Sequence, residues 1–204
     1  SLAKDVDYIL KTLPLTPDSK ILDLCCGNGL LAFAISDKVR EVVGIDMSPV
    51  MLKRANRVSE EKGSERVFFI NGEAVSLPFK GDSFDSSYCM TSFHYFPNLD
   101  YAETVIYEII RVTKSSGRIL LTDIPLKGSM GYYIWNQMRS RKKGYNAPIP
   151  QKHGKRSFEE RLSLLLRRFT GKKVDSDEWL WYEKGFFQSF RKGKFKTVQV
   201  RPSL

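Results

Sequence analysis

Two neighbouring stretches determine the architecture of this chain: Ile21-Leu-Asp-Leu-Cys-Cys-Gly-Asn-Gly-Leu-Leu-Ala32 and Val42-Val-Gly-Ile-Asp46. Together they place an apolar strand, a glycine turn that opens a helix, and a second apolar strand ending in a carboxylate within one βαβ unit. The glycines let backbone amides approach a ligand closely, and the carboxylate can accept hydrogen bonds from both ribose hydroxyls. The pattern therefore predicts a nucleoside site at the carboxyl ends of these strands.

The glycines alone leave the nucleoside open, because the spacing Gly27-x-Gly29-x-x-Ala32 also fits the dinucleotide fingerprint. Asp23 favours a different ligand. A carboxylate four residues before Gly27 would repel a pyrophosphate, whereas S-adenosylmethionine carries two positive groups, an α-ammonium and a sulfonium. The residues thus favour S-adenosylmethionine, with a nicotinamide cofactor as the alternative.

The rest of the chain alternates strands with helices, which is typical of α/β proteins with a mostly parallel sheet. A serine and proline at 48–49 are suited to a helix start, and Gly63 is suited to its end. Strands are predicted over residues 20–24, 41–45, 66–71, 84–90, 118–123 and 195–200, and helices over 3–13, 29–38, 48–62, 100–114, 157–169 and 177–191.

Four further segments, in order, resemble the class I S-adenosylmethionine-dependent methyltransferases of the small-molecule, type 11-like kind. They are Asp46-Met47 after the second strand, residues 71–79 after the third, residues 84–96 over the fourth strand and its loop, and residues 108–121 leading into the fifth. The resemblance covers residues 20 to 124. It implies a Rossmann-like, doubly wound sheet of seven strands that ends in an antiparallel pair. The sequence pattern predicts only one strand of that pair.

The resemblance also implies the residues that hold S-adenosylmethionine and its product S-adenosylhomocysteine. The methionine part lies on Asp23 and the loop, the ribose diol on Asp46, the adenine face on Met47, and the adenine edge on Glu73 with the Ala74 amide. The loop residues are Cys25, Gly27, Asn28 and Gly29, and Met90 faces both cofactor and acceptor. The family has a glycine where Cys25 stands, a change that is tolerated unless this position requires a positive φ.

Methyl transfer from a sulfonium is an in-line displacement, so alignment and exclusion of water matter most and no nucleophilic side chain is required. His94, in the loop after the fourth strand, is the candidate general base, with a packing or capping role as the alternative. His153, in the predicted lid, is a second candidate base, and Tyr8 is a candidate for closure over the cofactor, with packing of the N-terminal helix as the alternative. Three cysteines without metal-ligand spacing predict no metal site and no disulfide framework.

The length of 204 residues, with 42% hydrophobic content, predicts one methyltransferase domain over residues 1–204. We expect an N-terminal helix within 1–19, a cofactor-binding core over 20–125, a basic helical lid or insertion over 126–175, and a C-terminal helix and strand over 176–204. No apolar run is long enough for a membrane span, and no signal peptide is evident, so we expect a cytoplasmic protein.

Charge is distributed unevenly along the chain, and this distribution suggests alternatives to a small-molecule methyltransferase. Residues 1–125 carry 14 Lys and Arg against 17 Asp and Glu, a net of −3, while residues 126–204 carry 19 against 6, a net of +13. Basic clusters interleaved with tyrosines and tryptophans suit RNA, which makes a nucleic-acid methyltransferase the alternative to a small-molecule enzyme. The same charge suits an acidic acceptor. A cofactor-binding protein without methyltransferase activity is the third option, and the oligomeric state stays open.

Overall fold

The computed structural model describes residues 2–124, 187–188 and 197–202. Seven strands form one sheet in the order β3-β2-β1-β4-β5-β7-β6. They are β1 Lys20–Leu24, β2 Glu41–Asp46, β3 Val67–Asn71, β4 Phe84–Cys89, β5 Thr113–Ile124, β6 Phe187–Gln188 and β7 Thr197–Pro202. The first five are parallel, β7 runs parallel to β5, and β6 is antiparallel to β7. The predicted Rossmann-like, mostly parallel α/β fold is confirmed.

Helices cover both faces of the sheet. They are α1 Leu2–Thr12, α2 Leu30–Ile35, α3 Pro49–Lys62 and α4 Leu99–Val112. Alternate residues of β1 show the division: Ile21 packs in one cluster with α1 and α2, whereas Leu22 and Leu24 pack in another with α4. Because β1 is central and covered on both sides, its buried residues are apolar except for Asp23.

The ends of α3 are those that the sequence predicts. Ser48 is the N-cap, and its hydroxyl accepts a hydrogen bond from the Met51 amide at 3.4 Å, with Pro49 in the first turn. Gly63 ends the helix in the left-handed conformation, with φ of 57°. These signals are local, so they could be read without knowledge of the tertiary structure.

Two boundaries differ from the prediction by more than two residues. Helix α2 ends at Ile35 and continues as a 3-10 turn over Ser36–Lys38. Strand β5 begins at Thr113, directly after α4, whereas the sequence predicted helix to residue 114 and a strand from 118. The reason is a bulge: Phe84 pairs with Thr113, Ser86 pairs with Arg118, and the residues between them are accommodated in β5.

Near the C-terminus, β7 confirms the predicted strand with a shift of two residues. The helix predicted over 177–191 is wrong at Phe187–Gln188, which forms β6 and supplies the antiparallel partner that the sequence did not reveal. The remainder of that helix, the predicted lid over 126–175 and His153 lie outside the described residues. Among the described helices, none has the length and apolar character needed to cross a bilayer.

Candidate cofactor-binding site

A cavity of about 690 Å³ opens at the carboxyl ends of the central strands. It lies beside β1 and β4, where the strand order reverses, which is the usual ligand position in open α/β sheets. Its walls come from the loop after β1, the ends of β2 and β3, the loop after β4, and the first turns of α1, α3 and α4. The carboxyl ends of four parallel strands therefore converge on one ligand-sized space.

Most of the predicted cofactor residues line this cavity. Those that do so are Asp23, Cys25, Gly27, Asn28, Asp46, Met47, Ala74 and Met90. Two others do not: Gly29 is buried at the start of α2, and Glu73 is exposed on the loop after β3. Sequence reasoning missed Leu2, Asp5 and Tyr101, which approach from α1 and α4 and carry no motif.

The glycine turn has the backbone geometry that its residues permit. Gly27 and Gly29 have φ of 54° and 77°, in the left-handed region that favours glycine. A side chain at Gly29 would also overlap the ring of Phe69. Gly29 thus allows the turn to pack closely against Phe69, while Gly27 and Asn28 line the cavity.

The carboxylate of Asp46 joins the end of β2 to the glycine turn. Its Oδ2 accepts a hydrogen bond from the Gly27 amide at 2.9 Å, and its Oδ1 accepts one from the Ser48 amide at 2.8 Å. A carboxylate has about four acceptor positions, so each oxygen can accept a further bond from the cavity side. Asp46 is therefore suited both to hold the turn and to accept from a ribose diol.

Cys25 lies in the left-handed region, with φ of 61°. This is the condition under which a cysteine in place of the family's glycine is costly, because a Cβ in this region destabilises the backbone by about 1–2 kcal/mol. The thiol still packs against the core cluster that contains α4. The loop is therefore formed with cysteine, at a cost that a glycine would avoid.

Alanine is usually less destabilising than glycine, and we expect the opposite order of stability at position 25. The variant Cys25→Gly should be more stable than Cys25→Ala by about 0.5–1 kcal/mol, because only alanine keeps the Cβ strain. At Cys26, whose φ is not positive, the alanine variant should be the more stable one. Chemical denaturation of the four variants measures both differences; a Cys25→Ala variant more stable than Cys25→Gly would show that position 25 is not strained.

Asp23 is 2% exposed and lines the cavity. Burial raises the pKa of Asp23 to about 8; the neighbouring Tyr88 hydroxyl opposes this increase and the Asp46 carboxylate adds to it. Although the Tyr88 hydroxyl is near enough to lower the pKa of Asp23, neither that hydroxyl nor Asp23 Oδ2 has a partner within hydrogen-bond distance in the described part of the chain. A buried carboxyl oxygen without a partner is costly unless a ligand satisfies it, so the site is suited to a donor that carries positive charge.

The thiols nearby are suited to packing. Burial raises the pKa of Cys26 far above its ordinary value, and the contact with Cys25 together with burial raises the pKa of Cys89. Both thiols therefore stay protonated at neutral pH and supply no nucleophile.

In the loop after β4, the residues predicted to face the acceptor and the predicted base occupy different positions. Met90, Tyr95 and Phe96 line the cavity, and Tyr95 is 60% exposed at its mouth. His94 lies in the 3-10 turn Phe93–Tyr95, half-buried, with its ring 4.0 Å from that of Tyr95, and it is not part of the cavity wall. The structure therefore does not bring the candidate base to the cavity. Tyr8 is likewise absent from the wall and packs in the cluster with α1 and α2.

The described wall of the cavity is acidic. Asp5, Asp23 and Asp46 line it, and no Lys, Arg or His of the described residues does so. Such a wall favours a cationic ligand and disfavours the pyrophosphate of a nicotinamide cofactor.

An ion pair on α4 holds the loop that carries Ala74. Glu108 Oε2 accepts from the Leu77 amide at 2.7 Å, and Arg111 donates to the carbonyls of Leu77 at 3.0 Å and Phe79 at 2.7 Å. Arg111 also donates to both oxygens of Glu108, at 2.7 and 2.8 Å. Residues 77–79 are thus tied to α4 by three hydrogen bonds to charged groups.

Loss of this clamp should destabilise the protein. We expect Arg111→Ala to lower the free energy of unfolding by about 1–2 kcal/mol, since two backbone carbonyls lose a charged donor that is itself partly exposed. The control is Arg57→Ala, which breaks an exposed ion pair within α3 and should leave stability nearly unchanged. Urea denaturation compares the two variants, and equal stability of both would contradict a clamping role.

Comparison with known proteins agrees with this geometry. A family model described as a methyltransferase domain matches residues 15–182. The uncharacterized methyltransferase YcgJ of Bacillus subtilis is 38% identical over 120 residues, covering 59% of this chain and 46% of YcgJ. A demethylmenaquinone methyltransferase of Anoxybacillus flavithermus is 30% identical over 202 residues, covering 95% of this chain and 76% of that protein.

Solved structures give the same result for the fold. The crystal structure of YcgJ has a TM-score of 0.56 at 25% identity, covering 91% of this chain and 69% of YcgJ. The [4+2]-cyclase SpnF has a TM-score of 0.51 at 29% identity, covering 57% of this chain and 42% of SpnF. The sequence match to YcgJ spans less than half of that relative's length.

Proposed function

Because the chain belongs to the class I S-adenosylmethionine-dependent methyltransferases, we propose that it binds S-adenosylmethionine in the cavity at the ends of β1 to β3 and methylates an uncharged, largely apolar small molecule. The observation that carries the proposal is the buried carboxyl of Asp23, which lines the cavity and has an oxygen without a partner among the described residues. The cofactor's ammonium supplies the missing donor and positive charge.

The cofactor extends across the strand ends in the order of the sheet. Its methionine part lies at the loop after β1, where Asp23 receives the ammonium and Gly27 gives close backbone access. Its ribose diol donates to Asp46 at the end of β2. Its adenine lies between Met47, which is half-exposed on the cavity wall, and Ala74 after β3. Each part of the cofactor thus meets a group of matching polarity.

The reaction follows from this placement. When bound, S-adenosylmethionine would supply an electrophilic methyl group: an electron pair of the acceptor, on oxygen, nitrogen or carbon, would form the new bond as the carbon–sulfur bond breaks, and sulfur would keep the electrons of the broken bond. The chain contributes alignment and exclusion of water, since the transfer needs no covalent intermediate. Because His94 is not part of the cavity wall, we expect the acceptor to lose its proton without help from this side chain.

The acceptor end of the cavity suits an apolar ring. Met90, Tyr95, Phe96 and Pro97 form its wall, and Ser92 adds a hydroxyl. An acidic acceptor, favoured by the overall charge of the chain, finds no cation among the described lining residues, and the basic clusters of residues 126–204 lie outside the described part. The relative named demethylmenaquinone methyltransferase supports a quinone-type small molecule as the acceptor.

Turnover with three acceptor classes tests this proposal. The purified chain is incubated with S-adenosylmethionine and a naphthohydroquinone, an anionic hydroxybenzoate or bulk RNA, and S-adenosylhomocysteine is measured by mass spectrometry. We expect product with the naphthohydroquinone alone. Product only with RNA or the hydroxybenzoate would contradict the acceptor class. Cofactor binding without any turnover would favour a non-methylating role on this fold, which the cyclase SpnF shares.

A further inference from the structure

A tyrosine that belongs to no sequence motif stands at the purine end of the proposed cofactor site. Tyr101, in the first turn of α4, is 4% exposed and lines the cavity. Its hydroxyl donates to Glu73 Oε2 at 2.9 Å. Glu73 is exposed and is not part of the cavity wall, so Tyr101 is the member of this pair that lines the cavity.

In the proposed binding mode, the order of the strand ends directs the base toward this phenol. A nucleoside whose ribose lies on Asp46, with its methionine part toward β1, directs its base toward the end of β3. That end is held against β2, because the carbonyl of Asp46 accepts from the Gly72 amide at 3.1 Å and from Asn71 Nδ2 at 3.0 Å. Gly72, Ala74 and Tyr101 line the cavity at this point.

The phenol oxygen is held in one position. The Tyr101 amide donates to Asn98 Oδ1 at 2.8 Å at the start of α4, and the Tyr101 ring packs on Phe96 with centroids 5.3 Å apart. Burial of the ring and the bond to Glu73 fix the remaining rotation. A hydrogen-bonding group fixed in this way discriminates between ligands without an ordering cost at binding.

We propose that Tyr101 is a specificity-determining residue that selects a 6-aminopurine, an inference that rests on the proposed cofactor function. A phenol has one proton, and here it is committed to Glu73, so the oxygen can only accept from the ligand. The 6-amino group of adenine is a donor and fits. The 6-oxo group of hypoxanthine is an acceptor and is rejected. Glu73 is the positioning residue, because it sets the direction of the phenol proton.

Paired ligands test this role. Calorimetry compares S-adenosylhomocysteine with S-inosylhomocysteine, its 6-oxo analogue. We expect the unmodified chain to bind the amino form at least tenfold more tightly. In Tyr101→Phe the affinity for the amino form should fall about 3- to 10-fold, as for loss of one hydrogen bond, with the 6-oxo form changed less than about twofold.

Two further variants sharpen the result. In Glu73→Ala the phenol proton is released and can be donated to a 6-oxo group, so binding of S-inosylhomocysteine should strengthen and the ratio should fall. Tyr107→Phe is the matched control, since Tyr107 lies on the same helix, packs against the core and is not part of the cavity wall. It should leave both affinities unchanged.

The outcomes separate this inference from the proposed function. Equal losses for both ligands in Tyr101→Phe would show a merely structural tyrosine, and no loss would show that it does not contact the base; either result overturns the inference. Equal affinity of the unmodified chain for both ligands overturns it while the cofactor function stands. Binding of neither ligand overturns the cofactor function and the inference together.

Discussion

Asp46→Ala is expected to weaken binding of S-adenosylhomocysteine by about 1–3 kcal/mol, roughly 5- to 150-fold. Two losses add in this variant. The ribose diol loses its acceptors, and the amides of Gly27 and Ser48 lose the carboxylate that holds the glycine turn against β2. Calorimetry with the purified variant measures the change.

The variant Asp46→Asn separates acceptor chemistry from size. Its amide nitrogen would face one of two backbone N–H donors, so we expect a loss nearly as large as that of the alanine variant. Glu61→Ala, on the exposed face of α3, should bind as tightly as the unmodified chain. Unchanged affinity in both Asp46 variants would remove Asp46 from the cofactor site.

Cofactor affinity should depend on pH through Asp23. Burial raises the pKa of Asp23 to about 8, so the empty site is mostly protonated at pH 7, whereas a bound ammonium requires the carboxylate. We expect the affinity for S-adenosylhomocysteine to rise about tenfold per pH unit below pH 8, to level off above it, and about one proton to be released per ligand bound at pH 7. Calorimetry in buffers of different ionisation enthalpy counts that proton.

Asp23→Asn should abolish this pH dependence and bind more than about tenfold more weakly at pH 8.5, because a neutral amide cannot pair with the ammonium. His94→Gln is the control, since it replaces an imidazole outside the cavity wall and should keep the slope. If the pH dependence persists in Asp23→Asn and disappears in His94→Gln, the titrating group is His94 and the role given to Asp23 is contradicted.

Stability provides an independent readout of Asp23. The folded protein holds this proton up to about pH 8, while the unfolded chain releases it near the ordinary value of 3.8. Between these pH values the folded state binds more protons, so the free energy of unfolding of the empty protein should fall as pH rises from 4 to 8. Asp23→Asn should flatten this decline, so that one substitution stabilises the empty protein and weakens its ligand site.

The parts of the fold that sequence predicts are those with local signals. The strands β1 and β2 follow from apolar runs, and α3 follows from Ser48, Pro49 and Gly63, each of which acts within one turn. The early start of β5 at Thr113 was not predictable, because it depends on pairing with Phe84, which is distant in the chain. The short β6 was hidden for the same reason, since its partner is β7.

The site divides in the same way. Asp23, Gly27 and Asp46 were readable because their spacing in one βαβ unit places them together. The positive φ of Cys25 was not, because a cysteine gives no sign of the left-handed conformation. Tyr101 reaches Glu73 across 28 residues, and Asp5 approaches from α1, so both depend on packing that no local pattern encodes.

The most direct measurement is calorimetry of the unmodified chain with S-adenosylhomocysteine, with NADH as the control ligand. We expect binding of S-adenosylhomocysteine with a dissociation constant on the order of micromolar and no heat with NADH, since three acidic residues and no described cation line the cavity. Binding of NADH alone, or of neither ligand, would contradict the assignment of this cavity as a site for S-adenosylmethionine.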